Sequence, residues 1–317
     1  MNFWNALPRP LVTLAPMADM TDSAFCRVAK RFGAPVVVRE MISAEAIVRS
    51  NAKTLGMAGF DEEERPIVQQ IFGADPAVMA EATRRIDAAV APDGFDINMG
   101  CPVYKIVSNF NGCALMREPV TARAIIQAMK AATAKSVSVK MRLGWSRPTE
   151  IIDFIKVAED AGADLVTVHG RTKEQGYAGT ADWAAVGRAK AQVKIPVLVN
   201  GDIRSAEDFV RALEISGADG AAVARGALGN PWIFRQISDR LAGRPVSEPS
   251  DAERRTVILE HARLHEKLHG ELTTFRKHLV WYFKGQRGAK AMRERMVKIS
   301  TIEDLEAALE AAAEAGE

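Results

Sequence analysis

The stretch Ala161-Gly162-Ala163-Asp164-Leu165-Val166-Thr167-Val168-His169 ends a helix pattern at a glycine and leads directly into a short apolar run. The same unit returns as Ser216-Gly217-Ala218-Asp219 ahead of Gly220–Ala224. Such runs, rich in Val and Ile, are typical of parallel strands that are buried on both faces. Eight of them occur along the chain: Leu11–Ala15, Val36–Arg39, Ile67–Ile71, Phe95–Asn98, Val137–Met141, Leu165–His169, Val197–Asn200 and Gly220–Ala224.

Helical patterns separate these runs, among them Pro76–Ala89, Pro119–Ala132 and Ala206–Ile215. Eight strand–helix units in about 230 residues match the size of a (β/α)₈ barrel. A doubly wound open sheet is the alternative α/β fold, but no Gly-x-Gly-x-x-Gly follows the first strand. The sequence therefore predicts a (β/α)₈ TIM barrel.

The composition changes near Leu241. Residues 243–249 contain two prolines and are typical of a linker, and Ser250 with Glu253 forms a capping-box pattern that opens a helix ending near Gly270. Further helical stretches follow at Leu272–Phe283, Ala289–Ile299 and Thr301–Ala313. We expect a barrel domain over residues 1–242 and an all-α helical bundle domain over residues 243–317.

Composition excludes several classes of protein. With 317 residues, 48% hydrophobic residues and a net charge of +2, the chain is typical of a globular protein. Its three cysteines lack metal-ligand spacing and cannot all pair, which favours a reducing compartment and no metal site. The beginning of the chain has no signal-peptide pattern, and no run approaches the roughly 20 apolar residues of a membrane span. We therefore expect a cytoplasmic protein without membrane contact. We also expect a monomer.

Polar side chains stand where the predicted strands end. They are Gln70, Asn98, Lys140, His169 and Asn200. Because barrel active sites lie at the carboxyl ends of the strands, these residues predict one shared site. Glycine-containing loops follow strands seven and eight, as Asn200-Gly201-Asp202 and Ala224-Arg225-Gly226, where such barrels often bind phosphate. A phosphorylated cofactor or substrate is therefore expected there, although the glycines could also merely turn the chain.

Three of the side chains suggest chemistry. Cys101 follows strand four between Gly100 and Pro102, a loop position better suited to a nucleophile or proton donor than to packing. Lys140 could form a Schiff base or stabilise an electron-rich reduced ring. His169 stands near Arg171 and is expected to form hydrogen bonds. The other two thiols, Cys26 and Cys113, are interpreted as packing residues.

Six motifs in register resemble those of the tRNA-dihydrouridine synthases, over nearly the whole chain. They are Ala15-Pro16-Met17, Asn98-Met99-Gly100-Cys101-Pro102, Val139-Lys140-Met141-Arg142, His169-Gly170-Arg171-Thr172, Asn200-Gly201-Asp202 and Arg225-Gly226. Gly229-Asn230-Pro231-Trp232-Ile233-Phe234 is most similar to the bacterial B branch, which hints at a D-loop uridine as the target.

The resemblance implies an FMN-dependent enzyme that reduces the C5–C6 double bond of a uridine in tRNA, with NADPH as reductant. Cys101 would protonate C5 while hydride reaches C6 from the reduced flavin. The residues implied to hold FMN are Pro16, Met17, Gln70, Lys140, His169, Asn200, Gly201, Asp202, Ala224, Arg225 and Gly226. Asn98 would contact the uracil, and we assign Arg142 and Arg171 to the substrate as well.

The helical end is strongly basic. Between Phe275 and Ile299 it carries Arg276, Lys277, Lys284, Arg287, Lys290, Arg293, Arg295 and Lys298 against the single acid Glu294. Together with the barrel motifs, this asymmetry favours RNA binding through Arg276, Lys277 and Lys284 over a merely solvated helix face. Three histidines at four-residue spacing, His261, His265 and His269, could bind metal but are interpreted as surface residues.

Two other enzyme classes remain open at this point. A small-molecule flavin reductase of the dihydroorotate dehydrogenase kind would share the barrel, FMN and catalytic cysteine, but would not need the basic helical end. A Schiff-base lyase would use Lys140 and would lack a flavin chromophore. A non-catalytic RNA-binding module is disfavoured by the intact set of Cys101, Lys140 and His169.

Overall fold

All eight expected strands are present in the computed structural model, which describes residues 2–284, 295–296 and 298–314. They are β1 (Leu11–Leu14), β2 (Val36–Ser43), β3 (Ile67–Phe72), β4 (Gly94–Met99), β5 (Ser136–Arg142), β6 (Leu165–His169), β7 (Val197–Asn200) and β8 (Gly220–Val223). Neighbours in sequence pair in parallel, and β8 pairs with β1 to close the sheet. The predicted (β/α)₈ barrel is confirmed.

Closure of the barrel depends on one glycine. Gly220 lies opposite Leu11 in the β1–β8 pair. A Cβ atom at residue 220 would lie 2.1 Å from the carbonyl oxygen of Leu11. Only glycine therefore lets β8 approach β1 at this point.

Ten helices accompany the strands in the described part of the barrel. They are α1 (Ser23–Arg31), α2 (Ala44–Val48), α3 (Ala52–Met57), α4 (Pro76–Val90), α5 (Tyr104–Val107), α6 (Pro119–Ala132), α7 (Ile151–Asp160), α8 (Trp183–Lys190), α9 (Ala206–Ser216) and α10 (Ile233–Leu241). Proline begins α4 and α6, where the missing N–H costs nothing. The three helices predicted from their patterns are confirmed to within one residue.

The chain then continues as helices, as expected. They are α11 (Asp251–His269), α12 (Arg276–Tyr282) and, after residues outside the described part, α13 (Ile302–Glu314). The hydroxyl of Ser250 accepts a hydrogen bond from Glu253 N at 3.2 Å, but the Glu253 carboxylate accepts from Trp232 Nε1 instead of closing the box. A 3₁₀ turn at Thr273–Phe275 precedes α12, so the single helix predicted over Leu272–Phe283 is divided.

An apolar cluster joins the C-terminal helices to the barrel. Val28 and Phe32 of α1, together with Trp232, pack with residues of α11, α12 and α13. Because α1 covers one face of α11, His261 and His265 are fully buried, and only His269 is partly exposed. The interpretation of these histidines as surface residues is therefore wrong for two of the three.

Within the described residues, no helix has the length and apolar character that crossing a bilayer requires. The predicted helix at Ala289–Ile299 and the basic residues Arg287, Lys290 and Arg293 lie largely or wholly outside the described residues.

Candidate active site at the carboxyl ends of the strands

A cavity of about 550 Å³ opens at the carboxyl ends of the barrel strands. The structure brings nine of the predicted site residues together in its wall: Pro16, Met17, Gln70, Asn98, Cys101, Lys140, Arg142, His169 and Arg225. They lie in or just after six of the eight strands, namely β1, β3, β4, β5, β6 and β8. Their convergence results from the parallel barrel, which directs every strand end to one face.

A chain of hydrogen bonds orients the cysteine loop. Ser138 Oγ and Gln70 Nε2 both donate to the Asp96 carboxylate at 2.6 Å, and Asn98 Nδ2 donates to Gln70 Oε1 at 2.8 Å. Asn98 Oδ1 then accepts from the backbone N–H of Cys101 at 3.0 Å. Since each amide has one donating and one accepting side, the polarity of the chain is fixed from Asp96 to the loop.

Burial changes the protonation equilibria in the cavity wall. Burial and the nearby Arg142 guanidinium lower the pKa of Lys140 to about 8, although the Asp96 carboxylate opposes them. Burial, with Lys140 and Arg142 close by, lowers the pKa of His169 to about 2. His169 is therefore neutral at ordinary pH. Because Arg171 Nη1 can only donate and lies 3.4 Å from Nε2, the ring hydrogen is assigned to Nδ1.

The loops after β7 and β8 lie beside the main cavity. Asn200, Gly201, Asp202, Ala224, Arg225 and Gly226 line a small cavity of about 20 Å³, and Arg225 belongs to both walls. A Cβ atom at residue 226 would lie 2.1 Å from Ile203 O, so glycine is required for the two loops to meet. The six residues assigned to a phosphate group are thus neighbours.

The two arginines assigned to the substrate are largely occupied by protein groups. Arg171 is buried and donates to Asp202 Oδ2 at 2.6 Å and to two backbone carbonyls, of Ala178 and Gly179. It does not line the cavity. Arg142 does line it, but its guanidinium donates to the Gly100, Thr172 and Gly176 carbonyls. Both side chains therefore hold loops of the site in place.

The three thiols differ in accessibility. Cys101 is half-buried in the cavity wall, whereas Cys26 and Cys113 are fully buried, as expected for packing residues. Burial raises the pKa of the Cys113 thiol to about 12. Of the three, only Cys101 is placed to meet a bound molecule.

A second cavity of about 570 Å³ lies between the barrel loops and the C-terminal helices. Its wall includes Arg204, Arg225, Arg254 and Lys284, and no acidic residue is among the described residues that line it. Trp281 lines both this cavity and the main one. Of the three basic residues assigned to RNA, Lys284 lies in this wall, while Arg276 and Lys277 lie outside it, and Arg276 Nε donates to Ile299 O.

Tyr177 was missed by the sequence analysis. It is 60% exposed, lines the main cavity, and has the Arg225 guanidinium 4.7 Å above its ring. An aromatic residue between Gly176 and Gly179, in a loop after a barrel strand, was the available signal.

Comparison with known proteins agrees with the motifs. A profile of the dihydrouridine synthase family matches residues 13–316. A probable tRNA-dihydrouridine synthase of Rickettsia conorii is 39% identical over 86% of this chain and 84% of its own. The tRNA-dihydrouridine synthase B of Pseudomonas aeruginosa is 36% identical over 92% of this chain and 89% of its own.

Solved structures share the fold at much lower identity. A 2-naphthoyl-CoA reductase complex superposes with a TM-score of 0.58 at 12% identity, covering 74% of this chain and 50% of that one. A structure described as TcOYE with pHBA gives 0.56 at 10% identity, covering 77% and 92%. The family profile and the curated relatives span most of the chain, and this chain therefore belongs to the dihydrouridine synthase family of oxidoreductases.

Proposed function

We propose that this protein is an FMN-dependent tRNA-dihydrouridine synthase, which reduces the C5–C6 double bond of a D-loop uridine with NADPH as electron donor. One observation carries the proposal beyond family membership. Cys101, Lys140 and His169 line a single cavity at the carboxyl ends of the strands, and its volume of about 550 Å³ is within the usual range for cofactor sites.

The residues present fit FMN. Gln70 and Asn98 supply amide groups for the polar edge of a heterocycle, and Pro16 with Met17 supplies an apolar wall. The loops at Gly201 and Gly226 lie at one side of the cavity, where a phosphate group would meet Arg225. FMN bound here would supply hydride transfer, which no side chain of the chain can perform.

The protein groups would supply orientation and the proton. The Cys101 thiol, half-buried in the cavity wall, would donate the proton, and the Asn98 side chain holds the backbone that carries it. Lys140 would place a positive charge near a reduced ring, and the neutral His169 would donate from Nδ1 rather than add a second charge. A cation is most effective at a buried position, where the dielectric constant is low.

We further propose that residues 1–242 form the catalytic domain and residues 243–317 the domain that binds tRNA. The basic second cavity supports this division, because phosphate-backbone binding requires clustered Arg and Lys. Trp281 borders both cavities, so a base displaced from a tRNA loop could enter the first while the backbone stays at the second.

The decisive experiment separates cofactor binding from turnover. Purified Cys101→Ala should retain FMN, seen as flavin absorbance, yet form no dihydrouridine in tRNA supplied with NADPH. Cys113→Ala is the matched control, because that thiol is buried, and it should remain active. Normal dihydrouridine formation by Cys101→Ala would refute the proton-donor role, and a wild-type protein that binds no flavin would refute the whole proposal.

A second experiment tests the tRNA surface. Lys277→Glu/Lys284→Glu should weaken tRNA binding at least tenfold and reduce its salt dependence, while flavin reduction by NADPH continues. Arg276→Glu is less suitable, since Arg276 also donates a hydrogen bond to Ile299 O. Unchanged affinity in the double variant would contradict the assignment.

A further inference from the structure

Titratable side chains cluster where α1 of the barrel packs against the C-terminal helices, away from the candidate active site. Asp22 caps the N-terminus of α1, His265 lies on α11 and His278 lies on α12. One ligand atom from each of the three lies within 4.8 Å of the others. All three residues are at most 3% exposed. Because Asp22 lies far from His265 and His278 in the sequence, the three side chains come together only in the folded protein.

Some buried polar atoms in the cluster lack a well-formed hydrogen bond. Nε2 of His278 is buried without a hydrogen-bond partner, and Nδ1 of His265 lies 3.3 Å from Asp22 Oδ2 but outside hydrogen-bond geometry. Seven side-chain nitrogen or oxygen atoms share this condition among the described residues, and three of them belong to His261, His265 and His278. Buried nitrogens of this kind destabilise a fold unless an ion or a water meets them.

The surroundings orient the ligand atoms. Phe25 N donates to Asp22 Oδ1 at 2.9 Å, and Asp22 Oδ2 lies 3.3 Å from His265 Nδ1. On the far side of the His265 ring, Thr274 Oγ1 lies 2.8 Å from Nε2. When that hydroxyl accepts the ring hydrogen, the lone pair of Nδ1 faces the carboxylate. A hydrogen-bonded second nitrogen of this kind is what fixes metal-ligating histidines.

We propose that Asp22, His265 and His278 bind a divalent first-row transition-metal ion, with Zn²⁺ as the expected occupant. Two imidazole nitrogens and one carboxylate oxygen form a ligand set that Zn²⁺ accepts. Water or His269, whose Nε2 lies 2.9 Å from Asp22 Oδ2, would complete the tetrahedron.

The ion would connect three elements of the fold. It would tie the first helix of the barrel to α11 and α12, and hence the barrel to the C-terminal helices. Asp22 directly follows the segment from Met17 to Thr21, whose first four residues line the main cavity. Metal binding would therefore also brace that wall.

The test uses the full-length protein in a Cys101→Ser background, so that the accessible thiol cannot compete for metal. After chelation and dialysis, calorimetric titration should show one Zn²⁺ per chain, and Zn²⁺ should raise the melting temperature by several degrees. His278→Gln and Asp22→Asn should weaken binding at least 100-fold. His261→Gln, in the same cluster but outside the ligand set, should change it less than threefold.

A location measurement covers the case in which a variant fails to fold. Crystals of the unsubstituted chain soaked in Zn²⁺ should give an anomalous peak between Asp22, His265 and His278. Absence of stoichiometric binding, a peak elsewhere only, or equal affinity in His278→Gln would overturn the proposal.

Discussion

Asn98 is the residue whose replacement tests the structure of the site most sharply. Its side chain accepts from the N–H groups of Gly100 and Cys101 through Oδ1, at 3.2 and 3.0 Å, and donates to Gln70 Oε1 through Nδ2. In Asn98→Asp the two accepted bonds survive, but an oxygen replaces the donor and faces Gln70 Oε1. Gln70 cannot turn its amide round without losing its 2.6 Å bond to Asp96.

Two estimates bound the loss in the free energy of unfolding caused by Asn98→Asp. Leaving a buried acceptor facing another acceptor costs about 1–3 kcal/mol, and more for a charged group. Protonating the new carboxyl would restore the donor, which at pH 7 costs about 4 kcal/mol for a group with an ordinary pKa. We therefore expect Asn98→Asp to lower the free energy of unfolding by about 2–4 kcal/mol at pH 7.

The pH dependence of the stability loss distinguishes an unpaired carboxylate at residue 98 from other causes of destabilisation. The folded state raises the pKa of the new carboxyl, so its penalty is present above that pKa and is lost as the pH falls through it. The difference from wild type should therefore shrink between pH 7 and pH 5. Urea unfolding of the cofactor-free protein measures it, with the exposed Asn109→Asp as control, expected within about 0.5 kcal/mol of wild type. If Asn98→Asp lowered the free energy of unfolding by less than about 0.5 kcal/mol, or by an amount that does not change with pH, the hydrogen-bond chain would be refuted.

Three further predictions concern the barrel. Gly220→Ala should lower the free energy of unfolding by more than about 4 kcal/mol or prevent folding, as measured by thermal unfolding. Gly56→Ala is the control, because nothing lies within 4 Å of the added Cβ, and it should be neutral or stabilise the protein by up to about 1 kcal/mol. Arg39→Met should lower the free energy of unfolding by about 3–5 kcal/mol, because it leaves the buried Glu64 carboxylate without its cation at 3.2 Å. The double variant Arg39→Met/Glu64→Gln should recover at least half of that loss. In the cofactor-free protein, Lys140→Met should raise stability by about 2–3 kcal/mol at pH 7. Since the folded pKa of Lys140 is lowered to about 8, that gain should fade as the pH rises through 8 toward 10, and a constant gain would contradict the cause.

The barrel and the cavity wall were predictable because their signals are local. The strands are short apolar runs, and five of them carry a polar residue at or near the end. Parallel closure then brings those ends together whatever lies between them. Lys140 and His169 could be assigned to one site without any knowledge of loop conformation. Family membership then excludes the Schiff-base lyase and the free-pyrimidine reductase, which the residues alone left open.

The parts that were not predictable depend on contacts between distant segments. Helix spacing placed His261 and His265 on one face of α11 but could not show that α1 covers that face. Arg171 follows a strand end like a substrate ligand, yet its guanidinium is bound by Asp202 and by backbone carbonyls of its own loop. In both cases the contact depends on how a distant element or a loop folds back, and the local sequence pattern is the same with or without that contact.

The wall shared by the two cavities links the two parts of the proposed function, which are binding of the RNA backbone and reduction of the base. Arg225, Leu228 and Trp281 line both cavities, and the Lys284 ammonium lies 4.5 Å over the Trp281 ring. A cation held against an indole keeps that ring oriented and places positive charge at the boundary. A nucleotide whose base enters the barrel would leave its phosphates beside this pair. In the proposed function, binding of the RNA backbone and access of the base would depend on the same side chains, so changes at Trp281 should affect turnover as well as affinity.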